Sequence, residues 1–200
     1  MQWESVPTIG AVATLISKYD SGATKRCYMF YLYNSGGDYY LRFRVDTDLG
    51  EGTSYVDVTE ALAGAPATDG TWYTYRASVD ISERSGKIFI DRLDVAAAVN
   101  APGSGTSIFS ADAPFLVGAA MSSGSPVNFF DGVIDAVVVA ATYTATHSEP
   151  LNVTPSTTYI SNMAGLWNFN GSSYADDMPA GNDLTGVNAP TFVDGYPFQL

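Results

Sequence analysis

The residues of this sequence that could carry out chemistry are its carboxylates, one histidine and 13 tyrosines. A glycosidase needs two carboxyl groups that face each other across the bond to be cleaved. Asp131 and Asp135 share a face of a strand-like segment, but neither their spacing nor their neighbours match such a pair. His147 lies in a polar Thr-His-Ser-Glu-Pro segment, which indicates a solvated loop residue rather than the oriented imidazole of a Ser-His-Asp triad. The sequence therefore predicts no catalytic residue, and we expect a protein that is not an enzyme.

The aspartates favour turns over metal ligands. Several of them stand beside Gly, Ser or Asn, where an Asp side chain commonly accepts hydrogen bonds within its own turn. The alternative is a site for a hard cation such as Ca²⁺, which prefers carboxylate and carbonyl oxygens. The sequence contains no His and Cys cluster with zinc spacing, and no glycine-rich loop that follows a strand and opens a helix.

The charge balance disfavours two classes of partner. The chain has 9 Lys and Arg against 21 Asp and Glu, which gives a formal net charge of −12. Binding to nucleic acid depends on basic residues that neutralise phosphates, and an anionic membrane surface is disfavoured for the same reason. The first residues show no signal peptide, and the most apolar stretch, residues 133–141, is short and interrupted by Asp135. We expect no nucleic-acid partner, no membrane span and no N-terminal export signal.

Short strand-like segments recur along the chain, separated by clusters of Gly, Asp, Ser and Pro. In residues 39–45, Tyr40, Arg42 and Arg44 alternate with an apolar set that faces the other side. The only cysteine, Cys27, falls within another such segment and is expected to be a buried, inert thiol. The predicted strands are residues 11–19, 27–33, 39–45, 54–58, 71–79, 86–90, 114–120 and 133–140. Many strands with regular turns and no convincing helix before residue 150 predict an all-β sandwich or barrel.

The pattern changes in the last quarter of the chain. A short helical turn is expected near residues 155–163, and Gly165-Leu-Trp-Asn-Phe-Asn170 predicts one more strand. The predicted organisation is a sandwich core over residues 1–145 and a connecting segment over 146–164. Residues 165–200 then supply a strand and loops that complete the sandwich or begin a second copy.

Five segments resemble, in family order, strands of the laminin-G-like jelly-roll domains of the concanavalin A-like lectin and glucanase group. They are Leu15-Ile-Ser-Lys-Tyr-Asp20, Thr71-Trp-Tyr-Thr-Tyr-Arg-Ala-Ser-Val-Asp80, Ser85-Gly-Lys-Ile-Phe-Ile-Asp91-Arg, Phe115-Leu-Val-Gly-Ala119 and Phe130-Asp-Gly-Val-Ile-Asp135-Ala-Val-Val-Val. Arg92 replaces the usual glycine of the third segment, so that turn is expected to differ. The resemblance covers residues 11–143 and implies a two-sheet antiparallel jelly-roll sandwich.

The C-terminal part departs from the family order. The strand at residues 165–170, followed by Asp176, Asp177 and Gly181-Asn-Asp-Leu184, resembles the family's first strand and the loop after it, yet here it comes last. Two explanations stay open. Either the domain is circularly permuted, since the termini of such sandwiches lie close together, or residues 160–200 begin the next copy of a tandem array. A start at Met1 without a leader favours permutation.

The resemblance implies two kinds of site. Domains of this group often hold a structural Ca²⁺ near one edge of the sandwich, and the matching candidates are Asp176, Asp177, Asn182 and Asp183, with Asp131 as an additional member. Members also bind sugars through exposed aromatic rings and polar side chains, for which the candidates are Asp38, Tyr39, Tyr40, Arg42 and Tyr55. The glucanases of this fold carry a Glu-x-Asp-x-Glu triplet on one strand, and this sequence contains no such triplet.

These features predict a recognition or adhesion module of a virion or an extracellular surface assembly. The expected partners are a polysaccharide or a cell-surface glycan, other proteins of the assembly, and further copies of the chain. One alternative is a purely structural decoration or fibre protein of a virion with no sugar ligand. The other is a glycoside hydrolase.

Overall fold

A computed structural model of the protein describes residues 1–48, 52–91, 93–95, 97–140 and 163–168. Within these residues the secondary structure is entirely β, which confirms the predicted fold class. In chain order the strands are β1 (Gln2–Trp3), β2 (Val12–Asp20), β3 (Lys25–Ser35), β4 (Asp38–Asp46), β5 (Tyr55–Ala61), β6 (Tyr75–Asp80), β7 (Ser85–Ile90), β8 (Leu93–Val95), β9 (Ala98–Asn100), β10 (Phe115–Val117), β11 (Ala120–Ser122), β12 (Ser125–Val127), β13 (Gly132–Val133), β14 (Ala136–Ala140) and β15 (Met163–Asn168). The same residues form no helix that is long and apolar enough to cross a membrane.

Two of the predicted strands are interrupted. The strand expected at residues 114–120 breaks between β10 and β11 at Gly118, which has a φ of 75° and donates its N–H to the Leu15 carbonyl at 2.8 Å. The strand expected at residues 133–140 divides into β13 and β14. The strand expected from residue 71 begins only at Tyr75, and Trp72 forms an isolated bridge with Gln2.

Eight of the described strands form one large sheet. Its order is β12-β11-β2-β3-β4-β5-β9, and β10 also pairs with β2. The central strands β2 to β5 are antiparallel neighbours. The β3–β4 turn is fixed by Asn34, whose Oδ1 accepts the N–H of Gly37 at 2.9 Å. Gly36 and Gly37 have φ values of 67° and 104°, a region that glycine enters without steric cost.

A smaller sheet of β6, β7 and β8 packs against the large one at β4 and β5. The layers approach closely at Gly86 of β7, where a Cβ would collide with the side chain of Val58 in β5 and lie 2.8 Å from the Ser78 carbonyl oxygen. The fully buried aliphatic side chains of these two layers include Leu32, Leu41, Val56, Val58 and Ile88. The two layers enclose one apolar core, as in a β-sandwich.

The N-terminal strand β1 pairs with β13 in a separate two-stranded sheet. Trp3 in β1 is completely buried, its Nε1 donates to Tyr75 Oη at 3.0 Å, and its ring packs edge-on to Phe130 with centroids 4.6 Å apart. Gly132 has a φ of 152°, and a Cβ there would collide with the carbonyl oxygen of Gln2. The glycine of the Phe130-Asp-Gly132 segment therefore makes room for the backbone of β1.

Of the described residues, 2–132 form one compact unit, and 1, 133–140 and 163–168 form another. The second unit contains β14 and β15, which pair antiparallel with Val138 opposite Leu166. The additional strand predicted at residues 165–170 is therefore present as β15, two residues earlier. The helical turn expected near 155–163 lies outside the described residues except for Met163, which begins β15. The predicted boundary at residue 145 also lies outside them.

Three tyrosines of the first unit predict a loss of stability in alkali. Burial, with a smaller effect of Cys27, raises the pKa of Tyr28 to about 12, and burial is also the main cause that raises the pKa values of Tyr31 and Tyr75. A group with a raised pKa in the folded state stabilises the fold fully below its unfolded pKa of 10.0 and loses that contribution as pH rises toward 12. For Tyr28 alone the loss is at most about 3 kcal/mol.

We therefore expect the free energy of unfolding, measured in urea, to fall as the pH rises from 10 to 12. Tyr28→Phe keeps the ring and removes the ionisable hydroxyl, so this variant is expected to lose less stability over the same range. An equal decline in the variant and the natural protein would contradict the assignment to Tyr28.

Candidate functional site

The side of the large sheet that faces away from the small sheet carries aromatic rings and ion pairs. Successive residues of a strand point to opposite sides, and Val58 points toward the small sheet, so its neighbours Asp57 and Thr59 point away from it. The same alternation and the cross-strand register collect a set of side chains on that side. We call it the tyrosine–arginine face: Tyr31, Tyr33, Tyr40, Arg42, Arg44, Asp46, Tyr55 and Asp57.

Arg42 and Asp57 form an ion pair at the centre of the tyrosine–arginine face. The Arg42 Nε donates to Asp57 Oδ1 at 2.6 Å, and its Nη2 donates to Oδ2. Asp57 is 1% exposed, whereas the Arg42 side chain is 27% exposed, so the carboxylate is buried while the guanidinium reaches the surface. The Thr59 hydroxyl lies 3.4 Å from Asp57 Oδ1 as a further donor. This pair uses one N–H of Nε and one of Nη2, and the other three N–H donors of the guanidinium are outside it.

Arg44 forms a second pair within its own strand. Its Nε and Nη2 donate to the two oxygens of Asp46 at 3.0 and 2.9 Å, and Asp46 Oδ1 also accepts the N–H of Gly52 at 2.9 Å. The Arg44 guanidinium carbon lies 3.9 Å from the centre of the Tyr55 ring, which is a cation–π contact. The Tyr55 hydroxyl lies 3.4 Å from the Nδ2 of Asn100 in β9. Arg44 therefore contacts one face of the Tyr55 ring, and Asn100 lies beside the Tyr55 hydroxyl group.

Three tyrosine rings occupy the other end of the face. Tyr33 and Tyr40 lie opposite each other on β3 and β4, with centroids 5.0 Å apart and planes 18° apart. The ring centroids of Tyr31 and Tyr33 are 6.1 Å apart. Tyr31 is buried, whereas Tyr33 and Tyr40 are half-buried. Ala61, opposite Tyr40 on β5, is exposed and has only a methyl group. The cross-strand neighbour on β5 therefore leaves the Tyr40 ring open to a ligand.

The backbone beneath Tyr55 is fixed by an arginine from the β6–β7 turn. Arg84 donates to the carbonyl oxygens of Tyr55 and Gly105 at 3.0 Å each, and to that of Ala101 at 3.3 Å. It also donates to the Pro102 carbonyl oxygen. One guanidinium thus joins the small-sheet hairpin to β5 and to the loop of residues 101–105, which orders the strand that presents Tyr55.

The surroundings of Arg44 and Tyr31 determine the protonation states of these two side chains. Burial acts to lower the pKa of Arg44, but the hydrogen bonds and the charge of Asp46 more than offset this effect, and the pKa is raised. Burial raises the pKa of Tyr31, and the nearby Arg42 and Arg44 oppose that rise only in part. At neutral pH the face therefore presents a charged Arg44 guanidinium and a protonated Tyr31 hydroxyl.

This arrangement offers surfaces and hydrogen-bond donors that a ligand can contact. Its carboxylates are both engaged by guanidinium groups, and its rings present flat, amphipathic surfaces beside hydrogen-bond donors. Such a combination suits a ligand that has apolar faces and hydroxyl groups.

No family model, curated protein or solved structure matches this chain. The laminin-G-like resemblance therefore depends on the sequence segments themselves.

The structure brings together three of the five predicted ligand-binding residues. Tyr40, Arg42 and Tyr55 share the tyrosine–arginine face, and the exposed Asp38 begins β4 with the same parity as Tyr40. Tyr39 has the opposite parity, so it points to the other side of the sheet from Tyr40. Sequence reasoning placed Arg44 on the outward side but did not select it, and it missed the remaining members of the face: Tyr31, Tyr33, Asp46 and Asp57.

Most residues of the predicted calcium site lie outside the part of the chain that the structure describes. Asp176, Asp177, Asn182 and Asp183 lie beyond the described residues. Asp131 is described, and its Oδ2 accepts the Ser5 hydroxyl while its carbonyl accepts the N–H of Glu4 at 3.1 Å, so it fastens the segment after β1. In the described part of the chain no three His, Cys, Asp or Glu side chains cluster to hold a metal ion. The Ca²⁺ site stays a prediction.

The turn interpretation is confirmed for several other aspartates. Asp20, Asp69 and Asp80 each accept a backbone N–H from a residue two or three positions later. Asp48 accepts the N–H groups of Thr106 and Ser107 at 2.9 and 3.3 Å. These carboxylates close turns and join loops. Cys27 is also buried, as predicted, and its Sγ accepts the N–H of Ala111 at 3.3 Å.

Proposed function

We propose that this protein is a non-catalytic module that recognises glycans through the tyrosine–arginine face. The observation that supports this most is the combination of half-buried tyrosine rings with two Arg–Asp pairs on one side of a sheet. The laminin-G-like jelly-roll connectivity is part of the same proposal. It is supported by the order of the five sequence segments and by two sheet layers that share a core.

The chemistry of a sugar ring matches this face. A tyrosine ring offers a rigid apolar surface at low entropic cost, and its hydroxyl adds a polar contact. The guanidinium of Arg42 keeps donors outside its pair with Asp57 that can reach sugar hydroxyls. Because the ion pairs already fix both arginines, little side-chain freedom remains to be lost when a ligand binds.

Paired carboxylates also favour one rival function, glycoside hydrolysis. Asp46 and Asp57 lie on adjacent strands of the same face, as a pair of catalytic carboxylates would. Each, however, is buried beneath an arginine that contacts both of its oxygens. We assign both as positioning residues that hold the arginines, and expect no release of reducing ends from any bound polysaccharide.

The proposal extends to the setting of the module. A formal net charge of −12 suits a particle or surface assembly that must stay dispersed, because like charges on separate particles repel one another. We propose a virion or extracellular surface assembly, with neighbouring assembly proteins or further copies of the chain as protein partners.

Two tyrosine substitutions test the glycan proposal. We expect Tyr40→Ala and Tyr55→Ala each to weaken binding to a glycan identified on an array by about fivefold or more, since alanine substitution of a ring on which a flat ligand stacks costs about 1–3 kcal/mol. Isothermal titration calorimetry measures the loss. Tyr39→Ala is the matched control, because Tyr39 is adjacent to Tyr40 but points to the other side of β4.

The control separates a binding role from a folding role. Equal loss of affinity in Tyr39→Ala and Tyr40→Ala, with unchanged thermal stability, would contradict the assigned face. An intact protein that binds no glycan but attaches to a capsid would favour the purely structural alternative.

A further inference from the structure

We infer that the ligand is an uncharged, extended polysaccharide that runs along β4 and contacts two aromatic stations. The first station is the stacked pair of Tyr33 and Tyr40, and the second is Tyr55 on Arg44. This inference rests on the proposed glycan function and adds the class of glycan and its direction on the sheet.

The charge of the face argues for a neutral ligand. Each arginine of the face already has a carboxylate bound in bidentate geometry, so the Arg42–Asp57 and Arg44–Asp46 pairs are neutral as units. No net positive charge is left on them to compensate a uronate or a sulfate. The chain as a whole has a formal net charge of −12, which repels an anionic glycan at long range.

The spacing of the stations argues for an extended ligand. In the register of β4 and β5, Tyr40 lies opposite Ala61 and Asp46 lies opposite Tyr55. The two rows are six residues apart along β4, about 20 Å at the rise of a β-strand. A monosaccharide can contact one station only, whereas a chain of several sugar rings can span both. The Arg42–Asp57 pair lies between the stations, where hydrogen-bond donors can meet the hydroxyls of the intervening rings.

The neighbouring strands leave room for a ligand beside both stations. At the first station the neighbour of Tyr40 on β5 is the small, exposed Ala61. At the second station the Tyr55 hydroxyl is near Asn100 of β9, a strand whose three residues are all exposed. Both stations are therefore bordered on the neighbouring strands by exposed residues, where a ligand has room beside the rings.

The test uses matched pairs of polysaccharides on the full chain. Neutral glucans, mannans and galactans are compared with their carboxymethylated and sulfated derivatives by biolayer interferometry. We expect the neutral member of at least one pair to bind at least about tenfold more tightly than its anionic derivative, and added salt to narrow the difference.

A series of neutral oligosaccharides of increasing length tests the second half of the inference. We expect affinity to rise with length until both stations are filled and then to level off. Tyr55→Ala is expected to abolish the gain in affinity with length, so that long and short oligosaccharides bind about equally, whereas Tyr39→Ala is expected to keep that gain.

The outcomes distinguish a failure of this inference from a failure of the proposed glycan-binding function. Preference for anionic glycans, or affinity independent of length, would overturn the neutral extended ligand and leave glycan recognition standing. Failure to bind any member of either series, by a protein with an intact β-sheet spectrum, would overturn both.

Discussion

Trp3→Ala is expected to lower the free energy of unfolding by about 3–5 kcal/mol, the usual cost of deleting a large buried aromatic side chain. Trp3 has no exposed surface, and its ring fills the space between Phe130 and Tyr75. Its removal also leaves the Tyr75 hydroxyl without the indole N–H that it accepts at 3.0 Å. Since a domain of ordinary stability has only about 5–15 kcal/mol in total, one substitution in a two-residue strand removes a large share of it.

Trp3→Phe is the matched control for this prediction. It keeps an aromatic ring against Phe130 and loses the hydrogen bond to Tyr75, so a smaller loss of about 1–2 kcal/mol is expected. Urea denaturation, monitored by circular dichroism, gives the free energy of unfolding of both variants. The comparison is valid if the dependence of that free energy on urea concentration is the same in the variants and the natural protein. If Trp3→Ala costs less than about 1 kcal/mol, β1 contributes little to the fold and its burial has been misassigned.

The alternation of side chains along a strand explains which features of this fold could be predicted from the sequence. In β4 the alternation of Tyr40, Arg42 and Arg44 with apolar residues is a property of neighbouring residues, and the structure buries Leu41 and Val45 on the predicted side. The same alternation bears on Tyr39, one of the five residues predicted to bind sugar. Parity places it on the other side of the strand from Tyr40.

Long-range pairing explains most of what sequence reasoning missed. Asp57 is the partner of Arg42 only because β4 and β5 pair in one particular register, which a strand pattern cannot specify. Trp3 is buried by Tyr75, 72 residues away, and by Phe130, so nothing near it in the sequence signals a core residue. Strands of three residues, such as β8, β9 and β12, are too short to show any period.

The ion pair of Arg42 and Asp57 is expected to show a strong asymmetry when each partner is removed. Arg42→Ala leaves the carboxylate of Asp57, which is 1% exposed, without its counter-ion, at an expected cost of about 3–5 kcal/mol. Asp57→Ala leaves the Arg42 guanidinium, which is 27% exposed and can turn to solvent, so a loss of about 1–2 kcal/mol is expected. The double variant is expected to be more stable than Arg42→Ala alone, because no buried charge remains.

A double-mutant cycle in urea measures this coupling, and the same variants link stability to recognition. The double variant keeps both aromatic stations and loses the donors between them, so we expect it to stay folded while its affinity for a long glycan falls. Arg44→Ala serves as a comparison, since Arg44 pairs with Asp46 and supports the Tyr55 ring directly. Equal and additive losses from Arg42→Ala and Asp57→Ala would mean that the two side chains do not stabilise each other. The central pair would then be a surface feature of the sheet and not the fixed polar element between two aromatic stations that glycan recognition requires.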